Sequence, residues 1–167
     1  MNTQYARQVG AGDARSVIYI LHHWVRSDGT PLYCEIRTIA DHIDASILGI
    51  DDRIYFVAMA GERVVGIIGY RPLPDYLCNY AETDSAVEVV NFFVHKDHLR
   101  CGHGSVLLNK VRDFVYKRGF REILVCSGPR YKDSHGFYDA QGQQIATIPN
   151  HFGHGHDARI WRLRLDP

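Results

Sequence analysis

The sequence predicts a mixed α/β (α+β) single domain with a central sheet, and three observations carry that prediction. Residues 53–73 hold two strand-like apolar runs, "RIYFVAMAG" and "RVVGIIGYRPL", joined by the turn "AGER" as in a hairpin. Residues 86–126 read as strand, helix, strand, the order of a βαβ unit whose strands run parallel. The last run, "RIWRLRLD" at 159–166, alternates apolar and polar residues and closes the chain as a strand. At 167 residues the chain is long enough for one core, and residues 1–167 are read as one domain.

The remaining elements follow in order. Val17, Ile20, Leu21 and Trp24 fall at helical spacing within 13–26, with Asp13 as the expected N-cap and "SDGTP" as the break. A second helix is expected over 37–48, "RTIADHIDASIL", and a polar loop over 74–85, "PDYLCNYAETDS". The strand 86–95, "AVEVVNFFVH", is rich in β-branched and aromatic residues. Leu107, Leu108, Val111, Phe114 and Val115 make one apolar face of a helix over 103–118, and Gly119 suits its C-terminal cap. "REILVCSG" is apolar enough for a buried strand, and "SHGFYDAQG" suggests a short helix ended by Gly142.

Composition removes several classes of function. Lys+Arg and Asp+Glu both number 19, so no basic excess exists to hold a nucleic-acid backbone. No apolar run approaches the ~20 residues that span a bilayer. The start "MNTQYARQVGAGDAR" has no apolar signal core, so a cytoplasmic protein is expected. Cys34, Cys78, Cys101 and Cys126 form no C-x-x-C pair, which argues against zinc or a disulfide framework. His151, His154 and His156 in "HFGHGH" have imidazoles at a spacing that zinc accepts, but the segment is Gly-rich and reads as a loop bordering the substrate pocket, and no metal is expected.

The stretch that invites chemistry is "RCGHGS", 100–105, a glycine turn between a strand and a helix. The first turn of a helix presents unpaired N–H groups and a partial positive charge, and glycine lets a phosphate approach the backbone. The turn therefore suits a pyrophosphate, although two glycines also serve any tight strand-to-helix turn. A P-loop is absent. A dinucleotide fingerprint would need a third glycine where Leu107 stands, and an acid at the end of the next strand, which reads Cys126-Ser127-Gly128.

With its flanks, this region resembles the GNAT superfamily of acetyl-coenzyme A-dependent N-acetyltransferases. The family's Arg/Gln-x-x-Gly-x-Gly/Ala signature corresponds to Leu99-Arg100-Cys101-Gly102-His103-Gly104, after the strand end "FFVHKDH". "GPRYKDSHGFYDAQG", 128–142, resembles the family's R-x-x-A-H-x-F-Y-x-x-x-G segment, with Ser134 where alanine is usual. The resemblance covers roughly 86–142. One position departs: Leu99 replaces the usual Arg or Gln, which keeps the backbone grip and leaves Arg100 to supply charge.

The resemblance implies a mostly antiparallel mixed sheet with helices on both faces and acetyl-CoA as acyl donor. It implies acetyl transfer to a primary amine, expected to be that of a small molecule, by direct attack in a ternary complex. The alternatives are a non-catalytic acetyl-CoA-binding module and an acyltransferase with a protein substrate; a homodimer is possible in such a family. Cofactor contacts are expected at Phe93, Val94, Arg100, Cys101, Gly102, His103, Gly104, Ser105 and Ser134. Phe93 and Val94 match the bulged strand end whose N–H meets the oxyanion. Tyr138 matches the tyrosine that protonates the leaving thiolate, and His135 matches the motif histidine that shapes the cofactor turn. An alkyl ammonium has a pKa near 10 and must lose a proton before attack. Glu88 is the candidate base, with an ion-paired strand residue as its other reading; Asn91 could hold a water instead, and Glu82 and Asp84 are further options.

In the family, acceptor specificity lies in three segments, here roughly 24–36, 73–85 and 149–157. The middle one carries Asp75, Glu82 and Asp84 with Tyr76 and Tyr80, a composition that suits a cationic amine.

Overall fold

A computed structural model describes residues 4–24 and 33–165, with the side chains of residues 33 and 34 left out. The break expected at 27–31, the end of the first helix at 25–26 and the side chain of Cys34 lie outside the described residues. The described chain runs β1 (Gln4–Gln8), α1 (Ala14–His22), α2 (Tyr33–Ile47), β2 (Ile54–Ala60), β3 (Arg63–Pro72), α3 (Asp75–Cys78) and β4 (Ala86–Val94), then α4 (His103–Tyr116), β5 (Glu122–Ser127), α5 (His135–Asp139), β6 (Gln143–Ile148) and β7 (Ala158–Arg164). The strands form one sheet in the order β1-β2-β3-β4-β5-β7-β6. Only β4 and β5 pair in parallel; all other neighbours are antiparallel.

The hairpin, the parallel βαβ unit and the closing strand stand as the sequence predicts. Alternation along β2 explains the two-sided core. Phe56 and Ala58 face α4, packing with Leu107, Leu108, Val111 and Val115, while Tyr55, Val57 and Met59 face Val17, Ile20 and Leu21 of α1 and Ile36, Ile39 and Ile43 of α2. Gly119 takes φ +91°, and the Phe120 N–H returns to Val115 O at 3.1 Å, a left-handed helix ending that a side chain would strain.

Four local expectations are corrected. Asp13 does not cap α1: its carboxylate accepts both Arg7 Nη atoms at 2.7 Å and the Gly10 N–H at 2.8 Å, closing a 3₁₀ turn over Ala11–Asp13. The second helix starts earlier, at Tyr33. The loop after β3 contains the one-turn helix α3. Strands β1 and β6 were not expected; both are sheet edges, short and polar, "QYARQ" and "QQIATI".

Buried charge fixes the loop before β4. Glu122, 2% exposed, accepts the Glu82 N–H at 2.9 Å and Arg162 Nε at 2.7 Å, while Glu82 itself pairs with Arg162 and Arg164. No helix among the described residues is long and apolar enough to cross a membrane.

Candidate active site

The site begins where two parallel strands stop pairing. β4 and β5 run in register only from Ala86↔Glu122 to Val89↔Val125. Beyond that point β5 continues against β7, and the rest of β4 stays with β3. The two strand ends open a cleft of about 740 Å³, lined by Val89–Phe93 on one side and Val125–Gly128 on the other. The open edge of β4 here lacks a strand partner, so an extended ligand has main-chain groups to meet.

A bulge shapes the same edge. Phe93 pairs with Ile67 and Val90 with Gly69, so Asn91 and Phe92 together oppose Ile68. Asn91 has φ +49°, a left-handed conformation, and its Oδ1 accepts the Tyr55 hydroxyl at 2.8 Å. The Tyr55 ring lies where a Cβ on residue 69 would be, which explains glycine at Gly69. This corrects the placement of the bulge: it falls at Asn91–Phe92, while Phe93 and Val94 remain in the ladder with Ile67 and Gly66. Phe93 still lines the cleft; Val94 does not, and its carbonyl accepts the Trp24 indole N–H at 3.0 Å.

Glu88 and Tyr138 line this one cleft. Glu88 is 4% exposed; Oε2 accepts Arg71 Nε at 2.5 Å and Oε1 accepts the Tyr76 hydroxyl at 3.0 Å. It is thus both ion-paired and within the cavity. Tyr138 is 6% exposed, and burial pushes its hydroxyl up to about 12, with a partial opposing effect from Ser134 alongside. A phenol held protonated is a proton donor throughout the neutral range. Ser134 also lines the cleft and donates Oγ to Tyr131 O at 2.7 Å.

The glycine turn follows β4. Gly102 has φ +87° and Arg100 φ +57°, and α4 starts at His103. Val106 N–H is bonded to Gly102 O at 3.1 Å, while the amides of the first turn, His103, Gly104 and Ser105, have no partner inside the helix. Gly104 sits about 3.6 Å from Phe137 and 3.7 Å from Phe92, measured to a Cβ it lacks, so the turn adjoins the cleft through Phe92. Arg100 and Cys101 are exposed, and Gln4 Nε2 ties the Cys101 carbonyl down at 2.9 Å. His103 is 3% exposed, and its ring packs edge-on against that of His98 with centres 5.6 Å apart. Residues 100–105 lie outside the cleft lining itself. First-turn amides without a helical partner, beside an unpaired strand edge, fit a pyrophosphate followed by an extended arm.

A family model described as "Acetyltransferase (GNAT) family" matches residues 18–143. The chain belongs to that family. Human N-acetyltransferase 8 is 23% identical over 112 residues, 66% of this chain and 48% of that protein, so the match spans about half the relative's length. The solved structure of a GNAT-family protein from Desulfovibrio desulfuricans aligns over 98% of this chain and 100% of its own, with a TM-score of 0.80 at 20% identity. An aminoglycoside 6'-N-acetyltransferase complexed with coenzyme A aligns over 97% of both chains, with a TM-score of 0.72 at 14% identity. At such identities the likeness to the solved structures is one of fold.

Within this GNAT domain, sequence reasoning missed the polar floor of the cleft. His42, Arg53 and Arg71 line it with Glu88 and Asn91, and the buried Tyr55 supports it from behind through its hydroxyl on Asn91; strand register places the arginines and Tyr55, with Arg71 opposite Glu88 and Tyr55 opposite Gly69, and α2 supplies His42. The acids of 73–85 do not reach the cleft; Tyr76 alone of that segment does. Glu82 is spent on Arg162 and Arg164, which removes it as a base, and Asp75 and Asp84 are exposed outside the lining. His135 is buried behind the cleft, with Nε2 near Gly128 O at 3.3 Å and its ring on Trp161. From the glycine-rich loop 149–157, Phe152 reaches the cleft and covers Gly128. Among the described residues no group of His, Cys, Asp or Glu is arranged to hold a metal.

Proposed function

We propose that this GNAT domain transfers an acetyl group from acetyl-CoA to the primary amine of a small molecule, by direct attack in a ternary complex. One observation carries the reading: a carboxylate, Glu88, and a protonated phenol, Tyr138, line the same cleft at the point where β4 and β5 part. The amides of Gly102–Ser105 would hold the pyrophosphate, and the free edge of β4 would meet the pantetheine arm. Bound there, acetyl-CoA supplies the activated thioester.

The chain's own groups then divide the work. Glu88 accepts the proton that the incoming ammonium must lose, directly or through a water held by Asn91. The bulge at Asn91–Phe92 leaves a backbone N–H outside the β3 ladder, which faces the carbonyl oxygen as it gains charge. Tyr138 Oη gives its proton to the departing thiolate. The carbonyl carbon bonds to nitrogen and then releases sulfur; the nitrogen sheds two protons in all, the first to Glu88 before attack and the second, as the amide forms, to the Tyr138 phenolate through solvent, so one proton is left over, on Glu88.

The test is thiol release from acetyl-CoA with a panel of amines, read in wild type and in Glu88→Gln. Amine-dependent release that falls about 10²-fold in the variant supports the assignment. Equal rates in the two proteins would remove Glu88 from the reaction, and release independent of any amine would leave a thioesterase.

A further inference from the structure

Two guanidinium groups, Arg53 and Arg71, line the cleft with Glu88, and none of the acids of 73–85 does. Arg53 stands one residue before β2, beside the Ile54↔Tyr70 pair, and so falls next to Arg71, which is itself opposite Glu88. Asp51, Arg53, Arg71 and Glu88 thus make a row on one face of the sheet, with His42 near both arginines. Charge is balanced pairwise, but exposure is not: the Arg71 side chain is 28% exposed against 5% for Glu88, and Arg53 20% against 15% for Asp51. Arg53 and Arg71 both line the cleft, and Asp51 does not.

Both guanidiniums have donors to spare. Arg71 gives Nε to Glu88 and lies against the Tyr76 hydroxyl; Arg53 gives Nη1 to Asp51, and its Nη2 has no acceptor among the described residues. A guanidinium carries five N–H donors in a planar fork that matches a carboxylate. A polycation would meet repulsion here. A phosphate dianion would leave excess negative charge, because each arginine already has a carboxylate partner. An ammonium next to a single carboxylate completes the row: the ammonium at Glu88, the carboxylate on Arg71 and Arg53. The nearby wall, Trp24, Phe93 and Tyr131 with ring centres 5.8 and 5.9 Å apart, is aromatic and suits an apolar side chain.

Resting on the acetyltransferase reading above, we infer that the acceptor is an α-amino acid with an apolar side chain, its carboxylate read by Arg53 and Arg71. The experiment measures kcat/KM with acetyl-CoA for phenylalanine, leucine and methionine, each against its carboxamide and its decarboxylated amine, with spermidine and phosphoethanolamine included. The free amino acids are expected to exceed their amides and amines by about 10- to 100-fold, because the analogues lack the carboxylate that the two guanidinium groups would pair with. In Arg53→Gln the preference for acid over amide is expected to collapse toward one, and in Arg53→Lys to return in part. Equal or better use of the amide, of spermidine or of phosphoethanolamine by wild type overturns the inference, as does a preference that survives in Arg53→Gln. If no amine is acetylated, a thermal shift with acetyl-CoA separates the failures: a shift means the acceptor class is wrong, and none means that the acetyltransferase reading has fallen too. The wild-type panel decides the matter even where Arg53→Gln does not fold.

Discussion

At the scale of single residues, Tyr138 and Glu88 are the groups proposed to move protons in the cleft. Removing the Tyr138 hydroxyl deletes a proton donor but hardly any packing, because the ring stays against Trp161 and Phe92. Tyr138→Phe is expected to lower kcat by about 10²-fold with the acetyl-CoA dissociation constant changed less than about twofold, read by steady-state kinetics and calorimetry. Burial holds the hydroxyl near 12, so it stays protonated up to that value. The wild-type rate is therefore expected to rise with pH as the amine deprotonates and to show no fall from Tyr138 below about pH 11. A descending limb near pH 9 that vanishes in Tyr138→Phe would contradict this. That Tyr138 would stand in the cleft was legible because a local segment, Phe137-Tyr138 four residues before Gly142, resembles the family's motif. Arg53, Tyr55 and Arg71 were not, because strand register brings the arginines to Glu88 and Tyr55 to Asn91, and no linear spacing encodes register.

At the scale of elements, the active edge is made by a bulge and held by a tyrosine from two strands away. A Cβ at position 69 would overlap the Tyr55 ring, which is fully buried. Gly69→Ala is expected to cost about 1–3 kcal/mol by overpacking. Because Tyr55 donates to Asn91 at the bulge, kcat should fall in the same variant. Chemical denaturation and kinetics read the two effects; a stable variant with full kcat would disconnect Tyr55 from the bulge. The hairpin, α4 and β5 were readable because each has a strong apolar period. β1 and β6 were not, because edge strands pair on one side, show polar faces to water and lose the pattern that marks a strand. The acidic loop misled for a related reason: composition shows that Glu82 is charged but not that Arg162 and Arg164 already hold it.

At the scale of the whole molecule, three histidines link stability to pH. His95, His103 and His135 are buried, and burial lowers the pKa of each. Below the unfolded value of about 6.5 the unfolded chain takes up protons that the folded one refuses. Their contribution is thus fully present above that value and is lost as pH falls toward the depressed folded values. The thermal midpoint is expected to drop between about pH 7 and pH 5, and to drop less in His103→Leu, whose wild-type Nδ1 has no partner among the described residues to lose. An unchanged midpoint over that range would mean that these imidazoles charge freely in the fold. The glycine turn and the parted strands are proposed to hold acetyl-CoA together. Calorimetric titration of acetyl-CoA into wild type and Gly104→Val tests it most directly. One-to-one binding in wild type, weakened at least about tenfold in a variant that keeps its thermal midpoint, is the predicted result, since valine methyls would fill space at the first-turn amides. Absence of binding to wild type, or equal binding by both proteins, would contradict it.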